Sequence, residues 1–170
     1  MNIDKILNDR ESRYNKIIEL SKKYKSPVLT AKINYPGDNK NSNRIEKIFE
    51  ILKKLTKEGF QKEIIEIKEL HGYDGPSILC SLEGKAEKLK KKAVEIEEDE
   101  EIGRIFDLDI YVEGVPVSRR DIRLNPRKCI ICGGNTYNCR INERHSKEEV
   151  KGEIDRLIDA YIVEDKKNKY

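Results

Sequence analysis

Ile102-Gly103-Arg104-Ile105-Phe106-Asp107-Leu108-Asp109-Ile110-Tyr111-Val112 is the stretch on which the reading of this chain turns. Phe106, Leu108, Ile110 and Val112 alternate with Ile105, Asp107, Asp109 and Tyr111, and a period of two belongs to a β-strand. The pattern predicts a strand over residues 102–112 with an apolar back and a polar front. Asp107 and Asp109 share that front, about 6.6 Å apart at two residues' rise. Two such carboxylates repel each other and are costly to bury without a counter-charge. A divalent cation removes the cost, and Mg²⁺ held by one or two carboxylates plus phosphate oxygens is a common phosphoryl-transfer arrangement. An edge strand with a wet outer face explains the same alternation without any ligand, so the surrounding segments have to decide.

Downstream, Glu113-Gly114 reads as a tight turn and residues 115–117 as the returning arm of a hairpin. Upstream, residues 28–35 read as a strand with Leu29, Ala31, Ile33 and Tyr35 on one face, and residues 64–70 and 77–82 as two more. The first helix is expected over residues 6–24, stopped before Pro27. Ile45, Ile48, Phe49, Leu52 and Leu55 form a helical stripe that Ser42 or Asn43 caps and Gly59 ends. A helix after Gly84 turns Ala86, Leu89 and Ala93 inward, and its acidic end, Glu95 to Glu101, reads as solvated surface. Ser146-Lys147-Glu148-Glu149 is a capping box opening a last helix that buries Val150, Ile154, Leu157, Ile158 and Tyr161. Residues 165–170 are expected to fray. Nothing divides the chain, so residues 1–170 are expected to form one α+β domain, a mixed or antiparallel sheet flanked by helices.

Charged residues make up 39% of the 170 and hydrophobic ones 36%, with no Trp, so Ile, Leu and Val must carry the core. The net charge of +3 conceals a local excess. Between Ser118 and Lys147 eight Lys or Arg face only Asp121 and Glu143, which implies an anionic partner. No apolar run reaches the ~20 residues of a membrane span, and no signal-peptide pattern opens the chain. The expectation is a soluble, cytoplasmic protein that keeps clear of membranes. Its four cysteines then read as thiols or metal ligands rather than as disulfides.

Three constellations could carry chemistry. Pro36-Gly37-Asp38-Asn39-Lys40-Asn41-Ser42 joins a strand to a helix N-terminus, where backbone N–H groups and Lys40 favour an anion, although the spacing is not that of a Walker A loop. Cys129, Cys132, Cys139 and His145 offer three thiols and an imidazole within 17 residues. That set suits a structural Zn²⁺, and it equally suits reduced, partly buried cysteines beside a surface histidine. Arg119, Arg120, Arg123, Arg127 and Lys128 follow the hairpin, which brings Ser118-Arg119-Arg120 back towards Asp107 and Asp109. Carboxylates for a metal and guanidinium groups for phosphate would then meet in one place.

In this order the residues resemble a known family. Gly103-Arg104-Ile105-Phe106-Asp107-Leu108-Asp109-Ile110 is similar to the Gly-Arg-Leu-aromatic-Asp-Ile-Asp-Val core of the CitX family, the holo-acyl-carrier-protein synthases of citrate lyase. Ser118-Arg119-Arg120-Asp121, Pro126-Arg127-Lys128-Cys129-Ile130-Ile131-Cys132, Cys139-Arg140 and His145 follow the family's later motifs. Pro36-Gly37, Lys40 and Ser42 match its Pro-Gly-x-x-Lys-x-Ser loop, Gly75-Pro76 its Gly-Pro, and Arg10-Glu11 and Arg13 its first helix. The likeness spans about residues 10–150. Glu100-Glu101 stands where the family has His-Pro, and the segment between Cys132 and Cys139 is more polar than usual.

The resemblance implies a transferase that moves the prosthetic group from 2′-(5″-triphosphoribosyl)-3′-dephospho-CoA to a serine of the citrate lyase acyl carrier (gamma) subunit, releasing diphosphate. Asp107 and Asp109 would be catalytic and hold Mg²⁺, while Gly37, Lys40, Ser42, Arg104, Arg119 and Arg120 would bind the donor. Asp-Leu-Asp-Ile also resembles the metal-binding strand of nucleotidyltransferase-fold enzymes, without the Gly-Ser that usually precedes it. A zinc-bearing nucleic-acid-binding module is the alternative from another class. It uses the basic segment and the cysteines but leaves the aspartate pair without a purpose, so a nucleic-acid partner is not expected.

Overall fold

In the computed structural model, residues 3–37 and 40–167 are described, with side chains up to residue 164. The alternating segments pair as β1 (Val28–Ile33), β2 (Ile64–Leu70), β3 (Ser77–Leu82), β4 (Phe106–Val112) and β5 (Val115–Val117). Among the described residues they form one five-stranded sheet in the order β2-β3-β1-β4-β5, antiparallel throughout. The helices are α1 (Ile3–Tyr24), α2 (Asn43–Gly59), α3 (Ala86–Asp99), α4 (Thr136–Ile141) and α5 (Lys147–Lys167). The result is the expected α+β domain.

Period-two patterning sends Leu29, Ala31 and Ile33 of β1, Ile78, Cys80 and Leu82 of β3, and Phe106, Leu108 and Ile110 of β4 to one face. There they meet Phe49 and Leu52 of α2, Leu89 and Ala93 of α3, and Leu157 and Ile158 of α5 in a single core. Within it, burial pushes the Cys80 thiol up to about 12, which keeps it a packing group. On the opposite face Ile17 and Leu20 of α1 lie on Val28 and Leu79 beside Tyr111, and Thr30, Ser77 and Ser81 are buried too. Towards β4 Lys32 stands opposite Asp107 and Thr30 opposite Asp109, with Asp107 and Asp109 28% and 37% exposed. That partial cover leaves the polar front of β4 accessible.

The structure corrects several expectations. Residues 102–105 are not strand. Glu101–Ile105 forms a 3₁₀ turn, and β4 starts at Phe106. The turn is pressed against the end of α3, so tightly that a Cβ on Gly103 would sit 2.6 Å from the Ile96 carbonyl oxygen and 2.9 Å from that of Glu97. Glycine is the residue that permits this approach. The run from Glu95 is only partly solvated, because Glu97 is 4% exposed. β1 stops at Ile33 rather than at residue 35. Helix α4 lacks a period long enough to be seen in sequence, although Asn135 caps it through its side chain. The capping box of α5 forms as expected, Ser146 N–H donating to Glu149 and Glu149 N–H to Ser146 Oγ. Residues 165–167, expected to fray, continue helix α5, and residues 168–170 lie outside the described residues. Among the described residues, no helix is long and apolar enough to cross a membrane.

Candidate active site

One end of the sheet gathers the loops that follow β1 and precede β3 and β4, and three groups of charged side chains meet there. The first is the aspartate pair. Asp107 Oδ2 lies 3.4 Å from Lys32 Nζ, and its Oδ1 lies 3.8 Å from Arg127. Asp109 Oδ1 accepts from Lys90 Nζ at 3.1 Å. The two carboxylates are 28% and 37% exposed, so both remain open to a ligand.

Two of the cations around them, Lys90 and Arg127, are held by an unfilled strand edge. β5 is three residues long and pairs only with Ile110, Tyr111 and Val112, so among the described residues the outer edge of β4 from Phe106 to Asp109 has no strand partner. Side chains satisfy it instead. Leu108 N–H donates to Glu97 at 2.9 Å, Lys90 Nζ donates to Leu108 O at 2.8 Å, and Arg127 donates to Phe106 O. Unpaired backbone groups at a buried edge would each cost about 1–3 kcal/mol. Lys90 and Glu97 are themselves buried at 4% exposure, their charges offset by Asp109 and Arg119. Completing the sheet and aiming cations at the aspartates are thus the same set of bonds.

The second group centres on Asp74, in the loop before β3. Its side chain is 1% exposed and accepts from Arg13 at 2.7 Å, Lys40 at 2.8 Å and Arg10 at 3.1 Å. Its N–H donates to Asp9 at 3.0 Å. Burial works against ionisation, but hydrogen bonds from Arg10, Lys40 and Arg13 outweigh it and hold Asp74 well below the usual carboxylate range. Three cations thus share one buried anion. They belong to the same field as the aspartates. Burial, Asp109 and Asp107 push the Tyr111 phenol up, while Arg13 opposes them.

The third group is the Cys129, Cys132, Cys139 and His145 cluster. Gly133, at φ +70°, turns a knuckle in which Gly133 N–H donates to Cys129 O and Cys129 N–H to Gly134 O. Helix α4 carries Cys139 back, and one ligand atom from each of the four residues lies within 4.8 Å of the others. Cys132 and Cys139 sulfurs are 3.5 Å apart. A tetrahedral ion with bonds of roughly 2.3 Å sets its ligands about 3.8 Å apart, so the spacing fits. His145 Nε2 is buried without a hydrogen-bond partner, as a nitrogen reserved for a metal would be. Contact with His145 draws the Cys132 thiol down to about 6, closer to the thiolate that a metal requires. These four residues form a cluster able to hold a metal ion.

Not every residue singled out in the sequence comes to the aspartates. Arg119 turns to α3 and pairs with Glu97 and Glu98, 13% exposed. Arg104 donates to the Cys129 carbonyl at 2.7 Å and ties the knuckle to the 3₁₀ turn. Ser42 is the N-cap of α2, its Oγ accepting from Ile45 N–H, and Lys40 is on Asp74. Arg120 is exposed and in no ion pair among the described residues. Gly37 has φ +88° and open space around it, and its neighbours Asp38 and Asn39 lie outside the described residues. Sequence reading missed Asp74, Lys32, Lys90 and Glu97. The last two had a signal, since they lie at helical spacing with Leu89, Ala93 and Val94 on the buried face of α3.

Fold and site together define a class of α+β protein in which an acidic pair on a sheet is framed by cations, with a thiol–imidazole cluster beside it. The chain belongs to the CitX family, described as apo-citrate lyase phosphoribosyl-dephospho-CoA transferase, whose family model matches residues 1–161. It is similar to the apo-citrate lyase phosphoribosyl-dephospho-CoA transferase of Escherichia coli O1:K1, at 29% identity over 93% of this chain and 88% of that protein. The Shigella flexneri serotype 5b protein of the same name matches over the same shares. Protein CitXG of Leuconostoc mesenteroides subsp. cremoris is also 29% identical, over 93% of this chain but 35% of its own length. The chain thus spans about a third of that relative.

Proposed function

We propose that this protein transfers the 5″-phosphoribosyl-dephospho-CoA group from 2′-(5″-triphosphoribosyl)-3′-dephospho-CoA to a serine of the citrate lyase acyl carrier subunit, with release of diphosphate. The observation that carries the reading is the Asp107–Asp109 pair, partly exposed on one strand face and framed by Lys32, Lys90 and Arg127. In nucleotidyl-type transfer the serine oxygen forms a bond to the phosphorus attached to the ribose, and the bond to the leaving diphosphate breaks. Negative charge grows on that leaving group, and fixed cations stabilise it most where water is excluded.

Asp107 and Asp109 suit Mg²⁺, which prefers one or two carboxylates plus phosphate oxygens and usually keeps several waters. When bound, the ion supplies charge neutralisation on the triphosphate. The side chains do the rest in this reading. Lys32 and Arg127 neutralise non-bridging oxygens, exposed Arg120 meets the incoming donor, and the Arg10–Arg13–Lys40 group, anchored by Asp74, meets the far end of the triphosphate. The cysteine–histidine cluster has a structural part and suits Zn²⁺. It fixes the segment carrying Arg127 against the sheet, and no thiol nucleophile is needed because the attacking oxygen comes from the carrier. The nucleic-acid-binding alternative gives the aspartates no use, and the family match lends it no support.

The test is diphosphate release from the triphosphoribosyl donor with apo carrier subunit, with and without Mg²⁺. Release that needs protein, carrier and Mg²⁺ together supports the reading. Undiminished turnover by both Asp107→Asn and Asp109→Asn refutes the assignment of the site.

A further inference from the structure

We propose that a cavity beside the aspartates is a second subsite, shaped for a nucleoside diphosphate bearing a long uncharged arm. This rests on the transferase reading above, and it assigns the cavity to the dephospho-CoA half of the donor. The cavity measures about 820 Å³ and lies among the end of β1, the knuckle, α4 and the first turns of α5. Small-molecule sites typically occupy roughly 300–1,000 Å³ and combine apolar walls with a few charged groups.

Its lining has two characters. Ile130 and Val150 give it an apolar wall, while Lys128, Arg140, Arg144 and Lys147 add four cations. Among the described residues none of the four is in an ion pair. The acids that also line it are Glu143 and Glu149, and Glu149 is occupied in capping α5. These four exposed cations, with Arg104 and Arg127 beside them, outnumber the two acids around a half-open, partly apolar space, and a positive potential of that kind attracts an anion. A purely ionic ligand would leave the apolar wall unused, and a purely apolar one would bury the cations without counter-charge. A diphosphate joined to a pantetheine arm satisfies both.

The position of the cavity sets its relation to the chemistry. Arg127 lines it and also reaches Asp107 at 3.8 Å. One donor can therefore lay its dephospho-CoA half in the cavity and its triphosphate across Asp107 and Asp109. Binding energy gathered on the unreactive half then positions the reacting phosphorus. Cys129, Cys139 and His145 form part of the cavity wall, which gives the metal cluster a direct bearing on this subsite.

The experiment is calorimetric titration of the whole protein with two separate probes, dephospho-CoA and inorganic tripolyphosphate with Mg²⁺. Wild type is compared with the double variant Arg144→Glu, Lys147→Glu. Both positions are exposed, and an acid in the first turn of α5 complements the helix dipole, so folding is preserved and is verified by melting. The double variant is expected to lose about tenfold or more in affinity for dephospho-CoA while tripolyphosphate binding stays within roughly twofold. Unchanged dephospho-CoA binding overturns the subsite, as does an equal loss for both probes, which would mark a general field effect. Unchanged dephospho-CoA binding with lost affinity for the carrier subunit assigns the face to the protein partner and likewise overturns it. Wild type that turns over the full donor yet ignores dephospho-CoA overturns the subsite and leaves the transferase reading standing. Failure of both binding and turnover overturns the two together.

Discussion

Replacing Asp74 by Asn is the sharpest test of how the site's cations are held. The change preserves shape and removes one negative charge from a side chain that is 1% exposed. Arg13 and Lys40, at 12% and 13% exposure, lose the anion that lets them stay largely buried. Breaking a buried pair by removing one partner costs about 3–5 kcal/mol. For a domain of this size that corresponds to a fall of roughly 10 °C in melting temperature. Urea unfolding and thermal melting at pH 7 should show it. The pH dependence adds a second check. Because its folded-state pKa is depressed, Asp74 stabilises fully above the ordinary carboxylate pKa of about 3.9 and loses that contribution as the pH falls towards the depressed value. The gap between wild type and variant should therefore be widest near neutrality and narrow progressively below about pH 4. A loss under about 1 kcal/mol, the range of exposed ion pairs, or a gap that does not narrow in acid, would refute the picture of one buried anion organising three cations.

Further outcomes follow from the same structure. Asp107→Asn should abolish diphosphate release while shifting melting little, because the side chain is 28% exposed and the change is isosteric; retained turnover contradicts its assignment. Arg119→Ala should destabilise the protein, since it strands the buried Glu97, whereas Arg120→Ala should weaken donor binding with no change in melting; the reverse pattern would exchange their roles. Chelation should release about one equivalent of zinc and lower the melting temperature, and metal-free protein of undiminished stability would exclude a zinc site at Cys129, Cys132, Cys139 and His145. Gly103→Ala should cost stability because its Cβ would meet backbone oxygen at 2.6 Å, and a variant as stable as wild type would show that the 3₁₀ turn can shift.

The sequence by itself determined what depends on local pattern. Period-two alternation marked β4 and the apolar face of β1, while β2 and β3 were legible as strands without an assigned face, and helical spacing marked α2 and α5. The side-chain grammar of caps placed Ser42 and Ser146, and ordered motifs identified the family. The Asp107–Asp109 face was legible because both residues lie on one strand. What only the tertiary structure decided is which charge meets which. Asp74 is 61 residues from Arg13 and 34 from Lys40, and nothing local distinguishes it from a loop aspartate. Glu97 sat within a run that looked solvated, yet it is buried because β5 is too short to complete the edge of β4, and a carboxylate from α3 supplies the missing acceptor for Leu108. The same vacancy at the strand edge draws in Lys90 and Arg127, while Arg119 is diverted to Glu97 and Glu98. A charge's partner is set by where the backbone leaves a group unpaired and how far water is excluded there, and both are properties of the assembled fold.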